Sequence, residues 1–278
     1  MLEKMSVMVA DIDGTLALKG GNLMPKTRAA IQRLHKEGVL FGVASGRPMD
    51  RRILDLAKKW DLGFDFDFAI GMNGGDLYDK ATDRIEHYYQ LKKEDVREIL
   101  TLLDGLDLNA IVYVNGYDEI NALRMDDFMR DSQQRNGSHV EIGCIDFLSR
   151  YDTGKIEVHI HPSLKPQLME RIAKHPSENW ITVTTFEIED HSTVEFLDPH
   201  VNKGIALKQF SEKSGIPLSE FIAFGDMEND IGLLREAGWG VCLLNGSDQT
   251  KAVAQAITEY TVHEDGVGHY LEDHWFNR

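Results

Sequence analysis

Val7-Met8-Val9-Ala10-Asp11-Ile12-Asp13-Gly14-Thr15-Leu16 decides how the rest of the chain is read. It opens as an apolar run of buried-strand length and breaks into two carboxylates, a glycine and a hydroxyl. Side chains alternate along an extended chain, so Asp11 and Asp13 can leave the strand end on the same side. Two acids held together repel, and at least one pKa rises unless a cation lies between them. The pair therefore points to a hard divalent ion such as Mg2+, which takes oxygen ligands. A calcium loop of the EF-hand kind also opens Asp-x-Asp-Gly, but it needs glycine at its sixth position and an acid at its twelfth. Leu16 and Asn22 stand there instead. Two readings remain: a plain Asp-Gly turn, or an aspartate nucleophile for phosphoryl transfer with its acid/base partner two residues on.

Working outward, residues 25–36 read as a helix. Pro25 suits a first turn, Ala30, Ile31 and Leu34 share an apolar face, and Gly38 ends it. The nearly continuous apolar run over 39–44 has the character of a parallel strand buried on both faces, and it ends in Ser45-Gly46-Arg47. A helix over 49–60 and a buried strand over 66–72 follow, the strand ending in Asn73-Gly74-Gly75. This is the βαβ rhythm of an open α/β sheet, in which ligands gather at the carboxyl ends of the strands. Polar residues follow all three strands at that end.

From 82 to 189 the rhythm changes. Strands are expected over 84–89, 110–114, 155–161, 180–186 and 193–197, with helices over 94–103, 126–135 and 164–174. That pattern describes an α+β unit inserted into the α/β domain. The first rhythm then returns. Asn202-Lys203-Gly204 opens a helix to 214, and a buried strand over 221–224 runs into Gly225-Asp226-Met227-Glu228-Asn229-Asp230. A helix over 231–236, a strand over 240–244, a helix over 249–257 and a last strand over 260–262 complete the expectation. Residues 1–81 and 190–278 thus form one discontinuous core, with 82–189 as the insertion.

The stretch from Gly225 to Asp230 is a second acidic cluster just past an apolar strand. Asp226 can reach a metal from the strand end, and Asn229 and Asp230 lie near it round one turn. Taken alone, the segment also reads as a helix cap. Ser45 stands where a hydroxyl and free backbone N–H groups can hold a phosphate oxygen, or where a serine simply caps. Lys203 begins a helix, the disfavoured end for a cation, so neutralising phosphate and carboxylate charge explains it better than helix stability.

The 278 residues suit one large domain or two modest ones, and 42% hydrophobic with 27% charged residues is ordinary for a globular chain with a real core. A formal net charge of -16 argues against nonspecific nucleic-acid or anionic-membrane binding. It also requires that an anionic substrate be drawn in by a local positive site. Cys144 and Cys242, far apart, give neither a disulfide framework nor a metal spacing, so reduced thiols in the cytoplasm are expected. No signal peptide and no apolar span of membrane length are read. Asn136-Gly137-Ser138 and Asn245-Gly246-Ser247 read as Asn-Gly turns.

The order Asp11-x-Asp13-Gly14-Thr15, Ser45-Gly46-Arg47, Lys203-Gly204, Gly225-Asp226-x-x-Asn229-Asp230 resembles all four motifs of the haloacid dehalogenase superfamily. The long insertion, Met24-Pro25, Asn73-Gly74 and the compact Gly-Asp-x-x-Asn-Asp form resemble its Cof-type hydrolases in particular. The resemblance implies an α/β fold, a Rossmann-like open parallel sheet with an inserted α+β cap, and a Mg2+-dependent phosphatase of small phosphorylated metabolites. It implies that Asp11 is nucleophile and metal ligand, and that Asp13 is acid/base and ligates metal through its backbone carbonyl. Ser45 and Lys203 would hold the phosphoryl group, with Gly46, Arg47 and Asn73 at the rim. Asp226 would ligate the metal, with Asn229 and Asp230 supporting the phosphate and metal site. The cap would close over the sheet edge and set specificity. His159-x-His161 on a cap strand and Asp265-Gly266-Val267, similar to a C-terminal loop near the family's site, are further candidates. Ala10, Ser45 and Gly75 depart mildly from the family pattern, Gly75 at a place that can alter the substrate pocket.

Two alternatives stay open: a hexose-phosphate mutase with the same motifs, and a metabolite-binding regulator that has lost turnover. The short Gly225–Asp230 motif favours the hydrolase over the mutase. The sequence leaves substrate identity and the choice between monomer and homodimer open.

Overall fold

The computed structural model describes residues 2–18 and 20–277. Strand β1 (Val7–Asp11) is buried along its length. Helix α1 (Pro25–Lys36) turns Thr27, Ala30, Ile31 and Leu34 inward, the one-face spacing of an amphipathic helix. Then come β2 (Leu40–Ala44), short helices α2 (Arg51–Leu54) and α3 (Leu56–Lys59), and strands β3 (Phe68–Gly71), β4 (Asp76–Asp79) and β5 (Arg84–His87). The middle of the chain supplies α4 (Lys93–Leu103), β6 (Leu108–Asn115), β7 (Glu119–Ala122), α5 (Asp127–Asn136) and β8 (His139–Ile142). It continues with α6 (Ile145–Leu148), β9 (Ile156–Ile160), α7 (Lys165–Lys174), β10 (Ile181–Ile188) and β11 (His191–Leu197). The last part is α8 (Lys203–Ser214), β12 (Phe221–Gly225), α9 (Ile231–Glu236), β13 (Trp239–Cys242), α10 (Asp248–Lys251), β14 (Ala256–Ile257) and α11 (Gly266–Leu271).

The chain divides into two compact units, Met1–Glu86 with Asn202–Arg278, and His87–Val201. The sheet of the first runs β14-β13-β12-β1-β2-β3-β4-β5. It is parallel from β14 to β3 and turns antiparallel only at β4. Its central strands β12, β1, β2 and β3 are apolar and buried on both faces, as helices cover a parallel sheet on each side. Met8, Ala10, Phe41, Val43, Ile222 and Phe224 pack with Ile31 and Leu34 of α1 in one core. The register places Asp11 opposite Ala44 and Ala10 opposite Phe224. Asp11, Ser45 and Asp226 therefore emerge at the same carboxyl edge.

The second unit has the sheet order β10-β11-β9-β6-β7-β8. One face packs Ala110, Val112, Ile156, Val158, Val194 and Phe196 against helical residues such as Val96, Ile99, Leu100, Leu103 and Leu168. Alternate residues carry a buried polar network on the other face. The Lys155 ammonium lies 2.5 Å from Glu195 and 3.2 Å from Glu157. Glu157 also accepts from the Tyr113 hydroxyl at 2.9 Å and meets His159 Nε2 at 2.7 Å. Burial opposes the Glu157 anion, but Lys155 and His159 outweigh it and hold the carboxyl below its ordinary range. Strand β11 pairs with both β10 and β9. The expected division between 189 and 190 thus falls in the β10–β11 hairpin turn, and β11 lies in the second unit.

Several expected elements change, each for a local reason. The helix over 49–60 starts at Arg51, because the Asp50 carboxylate accepts the Arg52 N–H at 2.8 Å, and it is interrupted at Asp55. The helix over 249–257 stops at Lys251. Beyond it the Gln255 and Thr258 N–H groups bond Gly240 and Cys242 carbonyls and draw the chain alongside β13 as β14. No strand forms over 260–262: Thr261 and Glu264 make a capping box that starts a 3-10 turn. His159 and His161 do not share a strand face, since β9 ends at Ile160 and His161 Nδ1 accepts the Ser163 N–H at the next turn. Among the described residues, no helix is long and apolar enough to cross a membrane.

Candidate active site

At the end of β1 the chain cannot continue as a strand. The Leu16 and Ala17 N–H groups both return to the Ile12 carbonyl, and Gly14 donates to Ala17, closing a tight turn. Gly14 has φ +89°, and a Cβ there would collide with the Asp226 carboxylate. Glycine is required on both counts. Thr15 donates its hydroxyl to Asp226 Oδ1 at 2.8 Å, which ties the β1 turn to the β12 loop.

Lys203 is the first residue of α8, behind Asn202, whose side chain accepts the Ile205 N–H at 3.0 Å. Its side chain is fully buried, and Nζ lies 2.5 Å from Asp11 Oδ1 and 2.5 Å from Asp230 Oδ1. Asp230 Oδ2 accepts the Asp226 and Met227 N–H groups at 2.9 and 3.1 Å, so one carboxylate both shapes the loop and faces the lysine. Gly74, at φ +110°, lies so close to the Asn202 carbonyl that no Cβ fits. The Asn73-Gly74 turn and the start of α8 are in direct contact for that reason.

Asp13 stands apart from this cluster, part-exposed, with Arg47 Nη2 2.6 Å from both its oxygens. Ser45 is buried, and its hydroxyl accepts the Arg47 N–H at 3.2 Å. Asn229 donates to Asn73 Oδ1 at 3.2 Å, and a Cβ on Gly46 would crowd that same oxygen. Asp11, Ser45, Gly46, Arg47, Asn73, Lys203, Asp226, Asn229 and Asp230, drawn from five chain segments, thus meet at one sheet edge, with Asp13 held at its rim. Asp265-Gly266-Val267 does not form an open loop. Gly266 and Val267 begin α11, while the Asp265 carboxylate caps α1, accepting Lys26 N–H at 2.7 Å, Thr27 N–H at 2.8 Å and the Thr27 hydroxyl at 2.6 Å.

Three buried carboxylates face one ammonium. Burial, with repulsion from Asp230 and Asp226, pushes the Asp11 carboxyl well above its ordinary range against the pull of Lys203. Burial also opposes the charged form of Lys203, but Asp11 and Asp230 prevail and hold it protonated. Asp226 is pushed up to about 7, first by burial and then by Asp230. Among the described residues, Asp11, Asp226 and Asp230 can each offer one oxygen, all within 4.8 Å of one another. An all-carboxylate donor set with surplus negative charge suits a hard divalent cation such as Mg2+.

A fold of this kind, with carboxylates after β1 and β12 and a buried lysine between them, defines a class. The haloacid dehalogenase-like hydrolase family matches residues 8–271, and the chain belongs to that family, within its Cof type. Its similarity to the Bacillus subtilis 5-amino-6-(5-phospho-D-ribitylamino)uracil phosphatase YitU is 24% identity over 283 residues, covering 99% of each chain. In fold it is similar to TM0651 from Thermotoga maritima, with a TM-score of 0.81 and 22% identity over 96% of this chain and 97% of that one. A haloacid dehalogenase-like hydrolase from Bacteroides thetaiotaomicron gives a TM-score of 0.80 and 23% identity, over 97% of this chain and 99% of that one.

Asn245 and Asp265 have structural parts other than the ones their sequence patterns suggest. Asn245 read as an ordinary Asn-Gly turn, and Asp265 acts on a helix 238 positions away along the chain.

Proposed function

We propose that the chain is a Mg2+-dependent phosphatase, a phosphoric monoester hydrolase of small phosphorylated metabolites, working in the cytoplasm through an aspartyl-phosphate on Asp11. The observation that carries this reading is the buried Asp11 carboxylate at the strand end, 2.5 Å from Lys203 and grouped with Asp226 and Asp230. A carboxylate can attack a phosphoryl group only where the mutual repulsion of the anions is screened. Asp11, Asp226, Asp230 and the Asp13 backbone carbonyl would hold the metal, which when bound supplies that screening together with Lys203.

In the reading's first half, an Asp11 oxygen forms a bond to phosphorus as the ester P–O bond breaks, and protonated Asp13 gives its proton to the departing alkoxide. In the second, Asp13 takes a proton from water, the water oxygen attacks phosphorus, and the Asp11–phosphate bond breaks to release inorganic phosphate. Lys203, the Ser45 hydroxyl and Asn229 orient the phosphoryl oxygens. Arg47 holds Asp13 between turnovers, and Gly46 and Asn73 line the rim. The name of the Bacillus relative puts phosphorylated ribityl compounds and sugar phosphates first among substrates to try.

The test is phosphate release from a panel of small phosphate esters with Mg2+. Release is expected, lost on chelation with EDTA, and restored by Mg2+ but not by Ca2+. Activity untouched by chelation would rule out the metal, and silence across the panel with an absolute need for a bisphosphate activator would favour the mutase.

The Asp226 shift adds a prediction for the metal-free protein. Between its ordinary value near 3.8 and about 7, the folded state binds more protons at Asp226 than the unfolded state does. Metal-free stability should therefore fall as pH rises through that window. Mg2+ competes with the same proton, so its thermal stabilisation should be larger at pH 8 than at pH 5.5. Equal thermal shifts at both pH values would contradict the assignment of Asp226 as a ligand.

A further inference from the structure

We propose that Asn245 is a positioning residue that holds the Asp13–Thr15 turn, and with it the acid/base Asp13, in register with the rest of the site. The proposal rests on the phosphatase reading and extends it to a residue outside all four motifs.

Asn245 lies just past β13, at the same carboxyl edge as β1 and β12, and its side chain bridges two backbone groups. Nδ2 donates to the Gly14 carbonyl at 2.9 Å, and Oδ1 accepts the Val262 N–H at 2.8 Å. One donor and one acceptor in a fixed plane are what an amide offers and a carboxylate does not. Its own backbone is anchored on both sides. Leu244 N–H bonds Thr258 Oγ1 at 2.9 Å, Gly246 N–H bonds Leu243 at 2.8 Å, and Ser247 N–H bonds the Asp226 carbonyl at 2.9 Å. Asn245 is solvent-exposed, and its anchored backbone makes it a strut built on the Asp226 loop.

The bond it makes falls at a sensitive place. Gly14 follows Asp13 directly, and its N–H is already committed to Ala17. The Gly14 carbonyl belongs to the peptide that joins it to Thr15, whose hydroxyl reaches Asp226. Fixing that carbonyl fixes the peptide plane between the Asp13 side chain and the Thr15 anchor. Asp13 itself is part-exposed and held at its carboxylate by Arg47, a long side chain from another segment. Beside the turn's own hydrogen bonds, the Asn245 bridge is a short, backbone-directed restraint from another segment on where Asp13 stands. Its other end, at Val262, begins the turn that leads to Asp265 and the cap of α1. This amide ties the C-terminal segment to the Asp13 turn.

The experiment compares kcat/KM for an alkyl phosphate and for p-nitrophenyl phosphate, with Mg2+, in wild type, Asn245→Ala and Asn245→Asp. Departure of an alkoxide needs the Asp13 proton, whereas p-nitrophenolate leaves with little help. A misplaced acid should cost the alkyl ester roughly 10- to 100-fold in both variants and leave the aryl ester much less affected. The alkyl-to-aryl ratio is taken within one preparation, so a partly folded variant gives the same ratio as a fully folded one. Equal losses on both esters, or no loss on either, would overturn the proposal and leave Asn245 a structural turn residue. A wild type inactive on both esters, with Mg2+ present, would instead be a failure of the phosphatase reading itself.

Discussion

Asp11→Asn is expected to lower phosphate release by at least ~10³-fold while the protein stays folded. The amide has nearly the shape of the carboxylate but cannot supply the attacking oxygen anion. The fold should tolerate the change better than most buried substitutions. Three carboxylates, Asp11, Asp226 and Asp230, face the single Lys203 ammonium, and burial already works against the Asp11 anion. Removing one negative charge relieves repulsion and leaves Lys203 still paired with Asp230 at 2.5 Å. The metal-free melting temperature should be unchanged or higher, while stabilisation by Mg2+ should shrink, because one oxygen of the donor set is weakened. Acid-quenched wild type should carry labile phosphate on the protein and the variant none. Turnover within tenfold of wild type would remove Asp11 from the nucleophile's role.

Much of the fold is legible in the sequence, and the reason is periodicity. The runs ending at Asp11, Ser45, Asn73 and Asp226 are continuously apolar because their strands are buried on both faces, and each breaks where it reaches the sheet edge. Strands β7 and β8 lack such a signal: β7 is four residues long and mixes Glu119 and Asn121 with its buried Ile120 and Ala122, and in β8 His139, Glu141 and Ile142 are exposed. The C-terminal elements were misplaced because capping and strand pairing by Thr261, Glu264 and Gln255 override a local helix or strand tendency. The Arg47–Asp13 pair and the Asn245 bridge were invisible for a different cause. Each joins segments far apart in sequence, and an arginine after a strand or an asparagine before a glycine has commonplace local uses. Motif spacing reports which groups a strand end presents. It does not report which of them bond to one another.

Lys203→Met should be the more damaging change for the fold. The ammonium is wholly buried between Asp11 and Asp230, and a methionine of similar length leaves both carboxylates without their cation. Breaking a buried pair from one side costs about 3–5 kcal/mol, because the charge left behind is neither solvated nor paired. The loss should depend on pH. Without Lys203 the Asp11 carboxyl loses the pull that opposes its burial, so its folded pKa rises further above the unfolded one. Stability then falls as pH rises through that window, and urea unfolding should show a larger deficit at pH 8 than at pH 5. Mg2+ should restore part of it by supplying positive charge to the same carboxylates. A double variant, Lys203→Met with Asp230→Asn, separates the two sources of damage. The asparagine oxygen can still accept the Asp226 and Met227 N–H groups that Asp230 Oδ2 accepts now, while the surplus charge is gone. The double variant should therefore be more stable than Lys203→Met alone, a departure from additivity that residues in direct contact are expected to show. Phosphate release should stay low in both, since the charge that screens the phosphoryl oxygens is missing from each. If the two losses simply add, the buried ion pair is not what holds this part of the fold, and Lys203 must be explained by the bound substrate alone.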